Sequence, residues 1–205
     1  MNTFTFIVGP VAAGKTTFME NKLYNIDKNE CNFFDHDKVK LMIQLYATDK
    51  SKFNDINLGS ALKNAINDSI NNQKDFMMQI HFTSDQLSQI NTYIYDYKNK
   101  FDFNAHFVAV SDVEILRQRA NKRELLGGHS SEGKSIDKSF NQSFKNFITY
   151  LPKFKKATIW DNTKEFGFNS MEQQLVFENG NLIFKNPNLT DYSQTLLNSV
   201  DNQNR

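Results

Sequence analysis

Short apolar runs alternate along this chain with longer segments in which apolar residues recur at helical spacing. This alternation is typical of a parallel sheet covered by helices, because each parallel strand needs a crossover before the next one. The pattern therefore predicts an α/β fold with a mostly parallel, five-stranded sheet flanked by helices. The predicted strands are 4–8, 31–35, 76–81, 103–110 and 157–160. The predicted helices are 15–23, 38–46, 58–72, 85–98, 112–126 and 135–151.

The C-terminal part of the chain departs from this alternation. Two runs, 174–177 and 182–185, flank an Asn-Gly pair at 179–180, and Asn-Gly between such runs is a strong hairpin signal. We therefore expect a C-terminal β-hairpin over 174–185 that joins the main sheet. Residues 186–205 contain few apolar anchors, so we expect a short helix that docks loosely, followed by a polar tail.

The first predicted strand and helix are joined by a phosphate-binding loop. Residues 9–16 read Gly-Pro-Val-Ala-Ala-Gly-Lys-Thr and match G-x-x-x-x-G-K-[ST] in the strand–loop–helix context that this motif requires. Lys15 is expected to reach the β- and γ-phosphates of ATP or GTP, and the Thr16 hydroxyl to bind Mg²⁺. The sequence thus predicts a P-loop NTPase fold. The remaining loop positions expected to hold the nucleotide are Gly9, Ala12, Ala13, Gly14 and Thr17.

The amino-acid composition argues against two classes of binding partner. Lys and Arg number 24 against 23 Asp and Glu, and the net charge of +1 selects neither nucleic acid nor an anionic membrane. No apolar run is long enough to span a membrane, and a strand and loop occupy the place of a signal peptide. With 205 residues, we expect one domain in a cytoplasmic protein. The single cysteine, Cys31, excludes an internal disulfide and is expected to pack at a strand edge.

Polar residues follow the second and third predicted strands, at the end where ligands bind in parallel sheets. We interpret Asp37 as a functional carboxylate that either takes the proton from an acceptor hydroxyl or orders Mg²⁺ through water, and the alternative is a helix cap. For Asp35, a helix cap or an indirect contact with Mg²⁺ explains the residue as well as direct chemistry does. Gln79 and His81 share a face and are candidates for binding the acceptor, although either residue type also occurs as an ordinary polar strand end.

Two arginines lie one turn apart on the predicted helix 112–126. Arg119 and Arg123 would point together at a transferred phosphoryl group, and the alternative is a solvated charged face. The Gly-rich segment 127–134 that follows is interpreted as a lid over the nucleotide. After the fifth strand, 161–163 reads Asp-Asn-Thr, which either contacts the base or ribose or forms an Asx turn.

Taken in order, these motifs resemble the zeta toxin family of P-loop kinases. The resemblance covers about residues 3–185 and depends on the phosphate-binding loop, the Phe-Asp-His-Asp step at 34–37, the run 119–129 and the Trp-Asp-Asn-Thr step at 160–163. It implies a kinase domain over 1–185 that phosphorylates a hydroxyl of a small acceptor, which in the family is a UDP-activated amino sugar. It also implies an antitoxin protein as partner.

The resemblance extends to individual residues. It implies nucleotide and Mg²⁺ contacts for Lys15 and Thr16, activation of the acceptor by Asp37, and phosphate contacts on the helix that carries Arg119 and Arg123.

Two positions depart from the family pattern. Gln79-Ile80 replaces the usual Glu-Thr that holds the sugar, and Ser139 replaces an arginine on the helix after the lid. Loss of a phosphate-clamping arginine can slow phosphoryl transfer by about 10³- to 10⁵-fold. The alternative interpretation is therefore a nucleotide-binding toxin-like or regulatory module whose kinase activity is lost or altered. A kinase for nucleic-acid ends is disfavoured, because no basic stripe would hold a strand.

Overall fold

The computed structural model describes residues 1–24, 30–35, 39, 58–126, 133–164 and 171–203. The strands in these ranges are β1 (Asn2–Val8), β2 (Cys31–Phe34), β3 (Asp75–Ile80), β4 (Phe101–Ala109), β5 (Lys156–Asp161), β6 (Glu172–Glu178) and β7 (Asn181–Lys185). The α-helices are α1 (Lys15–Tyr24), α2 (Leu58–Asn71), α3 (Leu87–Tyr97), α4 (Val113–Leu125), α5 (Gly133–Tyr150) and α6 (Asp191–Gln203). Short 3₁₀ turns cover Ser84–Gln86 and Leu151–Lys153.

All seven strands belong to one sheet in the order β2-β3-β1-β4-β5-β6-β7. The strands β1 to β5 are parallel, whereas β6 pairs antiparallel with β5 and β7 antiparallel with β6. The α/β class and the mostly parallel sheet are as predicted. The five predicted parallel strands and the two strands of the predicted hairpin form one seven-stranded sheet, because the hairpin hydrogen-bonds to β5. The hairpin also begins at Glu172, earlier than the pattern indicated.

The predicted strand ends differ from the observed ones by one or two residues. For example, β1 begins at Asn2 instead of residue 4, and β4 ends at Ala109 instead of residue 110. The predicted helix 38–46 falls outside the described residues except for residue 39. Residues 127–132 of the predicted lid also fall outside them, whereas Gly133 begins α5.

Side chains from the two faces of the sheet enter two hydrophobic cores. Alternation along β1 sends Phe4 and Phe6 into the larger core and Ile7 into the smaller one. The larger core is rich in phenylalanine and receives side chains from α2, α3, α5 and α6, while α1 and α4 contribute to the smaller core. Leu196 is fully buried in the larger core, so α6 is an integral part of the fold rather than a loosely attached tail. No helix among the described residues is both long and apolar enough to cross a membrane.

Cys31 lies buried at the first residue of β2, on the edge of the sheet. Burial, with a smaller contribution from the Asp75 carboxylate, raises the pKa of its thiol to about 12. Because the thiolate is the reactive species, we expect the native protein at pH 8 to react with Ellman's reagent on the order of a thousandfold more slowly than guanidinium-unfolded protein. Equal rates in the two states would show that β2 does not shield the thiol.

Candidate functional site

The phosphate-binding loop leaves β1 at the carboxyl edge of the sheet and enters α1 at Lys15. Gly9 has a φ of 142°, and a β-carbon there would lie 2.4 Å from the carbonyl oxygen of Val108 in β4. Ala12 and Gly14 also have positive φ, at 61° and 95°. Positive φ at these positions belongs to the curled backbone that presents N–H groups to anions. The local sequence therefore builds the concave loop that its motif predicts.

Lys15 is 5% exposed and its ammonium group folds back over the loop. Its Nζ donates hydrogen bonds to the carbonyl oxygens of Gly9 at 3.0 Å and Pro10 at 2.7 Å, and lies 3.0 Å from Nδ1 of His81. An ammonium group has no acceptor, so Nδ1 must accept and the ring proton of a neutral His81 must be on Nε2. His81, predicted to bind the acceptor, therefore lies directly beside the phosphate-binding lysine.

A hydrogen-bonded chain connects the loop to the carboxyl ends of β3 and β2. The Thr16 hydroxyl donates to Oε1 of Gln79 at 2.9 Å, and Nε2 of Gln79 donates to Oδ1 of Asp35 at 2.9 Å. Asp35 is only 3% exposed. The structure thus brings together two predicted site residues, Thr16 and Gln79, with a carboxylate whose role the sequence left open. Asp37, the predicted activating carboxylate, lies outside the described residues.

The two predicted arginines take different positions on α4. Nη2 of Arg119 donates hydrogen bonds to the carbonyl oxygens of Asn162 at 2.8 Å and Lys164 at 3.2 Å. The guanidinium group therefore lies along the segment that follows β5. Arg123 is exposed one turn later. Lys164 forms an exposed ion pair with Glu172 at the outer end of this segment, and the hydrogen bond between them raises the pKa of Lys164. The structure therefore brings Arg119, rather than Arg123, into contact with the β5 end.

A cavity of about 420 Å³ opens beside the phosphate-binding loop. One wall is a single face of α4, where Ile115, Gln118, Arg119 and Lys122 recur at helical spacing. The other walls come from the loop and from the chain after β5, and consist of Ala12, Gly14, Thr17, Asn162, Thr163 and Met171. The sequence interpretation missed Ile115, Gln118, Lys122 and Met171. The helical spacing to Arg119 was the available signal for those on α4, whereas no sequence signal identifies Met171.

The segment after β5 forms the predicted Asx turn and also lines the cavity. Thr163 donates its backbone N–H to Oδ1 of Asp161 at 2.9 Å, which forms the Asx turn. Asn162 and Thr163 nevertheless line the cavity. The side chain of Asn162 is 7% exposed, and its Nδ2 donates to the carbonyl oxygen of Ala13 at 2.8 Å. The turn therefore supports the phosphate-binding loop and shapes the cavity at the same time.

Ser139, which replaces the arginine usual in the family, is a buried residue of α5. Its Oγ accepts a hydrogen bond at 2.9 Å from the backbone N–H of Val11 in the phosphate-binding loop. Sequence reasoning read this position only as the loss of a cation. The structure shows that this serine links the phosphate-binding loop to α5 through a hydrogen bond.

Comparisons with known proteins bear on the fold. No protein-family model matches the sequence, and no curated protein matches it. Among solved structures, a chain of the PezAT chromosomal toxin–antitoxin system of Streptococcus pneumoniae aligns with 98% of this chain and 86% of its own length, at 12% identity and a TM-score of 0.60. A chain of the AvrRxo1-ORF1–ORF2 complex with ATP aligns with 98% of this chain and 63% of its own length, at 11% identity and a TM-score of 0.62.

A third similar structure comes from the Pnkp1/Rnl/Hen1 RNA repair complex. It aligns with 72% of this chain at 19% identity and a TM-score of 0.60, and this chain covers 46% of its length. Identities this low establish the fold alone. The chain therefore shares the α/β fold of these structures, and its resemblance to the zeta toxin family is confirmed at the level of the fold.

Proposed function

We propose that this chain is a Mg²⁺-dependent kinase that transfers the γ-phosphoryl group of ATP or GTP to a hydroxyl group of a small acceptor. The proposal is carried by one arrangement, in which a complete phosphate-binding loop separates the cavity beside α4 from the chain Thr16–Gln79–Asp35. The two sides offer separate places for the base and for the acceptor. A solved chain with this fold comes from a complex with ATP, so ATP is the first nucleotide to test.

The nucleotide would be held from both ends. Its base and ribose would enter the cavity beside α4, and the backbone of the loop would hold its phosphates. Lys15 would exchange its hydrogen bonds to the loop carbonyls for bonds to phosphate oxygens, which are stronger because both partners are charged. Arg119 or Arg123 would supply positive charge to the transferred group.

The donor groups near Thr16 fit Mg²⁺. The Thr16 hydroxyl directs its proton to Gln79, which leaves its oxygen lone pairs for a cation. Among the described residues, no cluster of three His, Cys, Asp or Glu side chains could hold a metal without the nucleotide. This agrees with Mg²⁺, which proteins usually hold through one or two side chains together with phosphates and water. When bound, Mg²⁺ neutralises charge on the β- and γ-phosphates.

The acceptor would approach from the β2–β3 side. Asp37 is proposed to take the proton from the acceptor hydroxyl, since it follows β2 by three residues and is close in sequence to the buried Asp35. Gln79 and His81 remain predicted acceptor ligands, although both also contact the loop. The resemblance of the motifs implies a UDP-activated amino sugar as the acceptor and an antitoxin protein as the partner, and one solved structure with this fold comes from a toxin–antitoxin system.

The proposed function is tested by incubating the protein with γ-labelled ATP, Mg²⁺ and a set of UDP-sugars. We expect label transfer to at least one acceptor. Asp37→Asn should keep ATP binding and lose transfer by about 10²- to 10⁴-fold, the usual contribution of a general base. The matched control is Asp201→Asn, which makes the same change on the exposed surface of α6. Unchanged transfer by Asp37→Asn would show that another group activates the hydroxyl.

A second candidate is a nucleotide-binding module without kinase activity. It is favoured by the hydrogen bonds that engage Gln79 with Thr16 and Asp35, because these occupy the amide that would otherwise hold an acceptor. The same incubation discriminates the two. Tight ATP binding without label on any acceptor, in the absence and presence of a metabolite extract, would favour the module.

A further inference from the structure

The hydrogen-bonded chain Thr16–Gln79–Asp35 has a fixed direction. An ionised carboxylate only accepts hydrogen bonds, so the Gln79 amide must turn its NH₂ group to Asp35. Its oxygen then faces Thr16 and must accept the hydroxyl proton. The reversed amide would place two acceptor oxygens about as close as the 2.9 Å that now separates Nε2 from Oδ1. The charge on Asp35 therefore determines which way the Thr16 proton points.

The strands around this series of hydrogen bonds fix the positions of its residues. Gln79 pairs with Ile7 across β3 and β1, which sets its side chain beside the loop that follows β1. Asp35 follows β2, which pairs with β3. Asp35 is almost completely buried, so its carboxylate gains a firmly held partner where few water molecules can compete. Its backbone carbonyl accepts from the Val39 N–H, which fixes the main chain at this point.

We propose that Asp35 and Gln79 are positioning residues that aim the oxygen lone pairs of Thr16 at the Mg²⁺ of a bound nucleoside triphosphate. This inference rests on the proposed function. A hydroxyl that binds a cation must give its proton to an acceptor on the far side, and Gln79 is that acceptor. In this assignment Asp35 is a ligand of neither the metal nor the acceptor, and it acts on Thr16 through Gln79. The neutral Gln79 thereby performs a metal-orienting task at a position where the family pattern has a carboxylate.

The test measures the affinity of a fluorescent ATP analogue in Mg²⁺ and in EDTA, so that the Mg²⁺-dependent part of binding is isolated. Gln79→Leu removes both hydrogen bonds at similar size. We expect it to raise the Kd in Mg²⁺ about tenfold, as the loss of an oriented ligand and of a buried hydrogen bond predicts, and to change the Kd in EDTA by less than about twofold. Gln194→Leu, at a half-buried position of α6 where the amide donates to Asn198, is the matched control.

The double variant Asp35→Asn with Gln79→Glu provides the rescue. The new carboxylate at position 79 accepts from Thr16 and from the new amide at position 35, so the total charge and the direction of the Thr16 proton are retained. We expect its Kd in Mg²⁺ to lie within about threefold of the wild-type value. Melting temperatures of all variants check that each protein is folded, and the rescue excludes a loss that is merely structural.

The outcomes separate this inference from the proposed function. A wild-type protein that binds no ATP analogue, or binds it equally in Mg²⁺ and EDTA, would overturn the proposed function. Wild-type binding that depends on Mg²⁺ while Gln79→Leu changes neither Kd, or changes both equally, would overturn only the positioning role. A double variant as weak as Gln79→Leu would also overturn it.

Discussion

Replacement of Lys15 with alanine is expected to lower the rate of phosphoryl transfer by at least about 10²- to 10³-fold, the usual effect of removing one group that stabilises developing charge. Lys15 is the buried cation of the phosphate-binding loop, and its Nζ lies within 3.0 Å of two loop carbonyl oxygens. The affinity for ATP should fall as well, because the triphosphate loses a charge-assisted contact. Transfer of γ-label and titration with a fluorescent ATP analogue measure the two effects.

The matched control for Lys15→Ala is Lys185→Ala, which removes an exposed ammonium group at the end of β7. This control should transfer label at the wild-type rate. The alanine at position 15 also leaves the Gly9 and Pro10 carbonyls without their donor, so urea unfolding must show that the variant is folded. A folded Lys15→Ala protein that bound and transferred as the wild type does would exclude this loop as the triphosphate site.

Replacement of Gly9 with alanine is expected to lower the free energy of unfolding by about 2–5 kcal/mol, the sum of backbone strain and steric overlap. The φ of 142° is unfavourable for any residue with a side chain. The new β-carbon would also lie 2.4 Å from the Val108 carbonyl oxygen, which is backbone of a central strand. Relief requires β1 or β4 to shift, and both lie in the middle of the sheet. Urea denaturation measures the loss.

Gly180→Ala separates the two causes. Gly180 also has positive φ, at 80°, but the nearest atom to a new β-carbon is Pro152 Cα at 3.9 Å. This variant should therefore show only the strain, about 1 kcal/mol. If the two glycine variants lost the same free energy of unfolding, the contact with Val108 would have no energetic weight. ATP binding by the Gly9 variant should be weakened as well, whereas Gly180→Ala should bind as the wild type does.

The fold class could be predicted from the sequence because the patterns that indicate it are local. Each buried parallel strand is a short apolar run, and the phosphate-binding loop has a contiguous motif between one strand and one helix. The extent of the sheet was harder to predict. The Asn-Gly turn predicts a hairpin that joins the sheet, but no local pattern encodes that β6 pairs with β5 rather than with another strand.

The sequence identified individual residues of the candidate site but not the contacts between them. Gln79 was recognised as a polar strand end, yet its hydrogen bond to Thr16 joins positions separated by 63 residues along the chain. The hydrogen bond from Val11 to Ser139 joins positions separated by 128 residues and gives that serine a structural role that the sequence did not indicate. Periodicity assigns a side chain to a face of an element, but the distance between two elements depends on how the core packs. Partners therefore had to come from the structure.

The two hydrogen bonds of Asn162 have a consequence for the free energy of ligand binding. Its carbonyl accepts from Arg119 on one side, and its amide donates to the Ala13 carbonyl on the other. A nucleoside that displaces Arg119 and a phosphate that reshapes the loop would therefore act on the same residue. Contributions of groups that share such a partner are not additive. We expect that the binding free energies of adenosine and of inorganic triphosphate, measured separately, do not add up to the binding free energy of ATP. This should hold even after the entropic advantage of linking the two parts is counted.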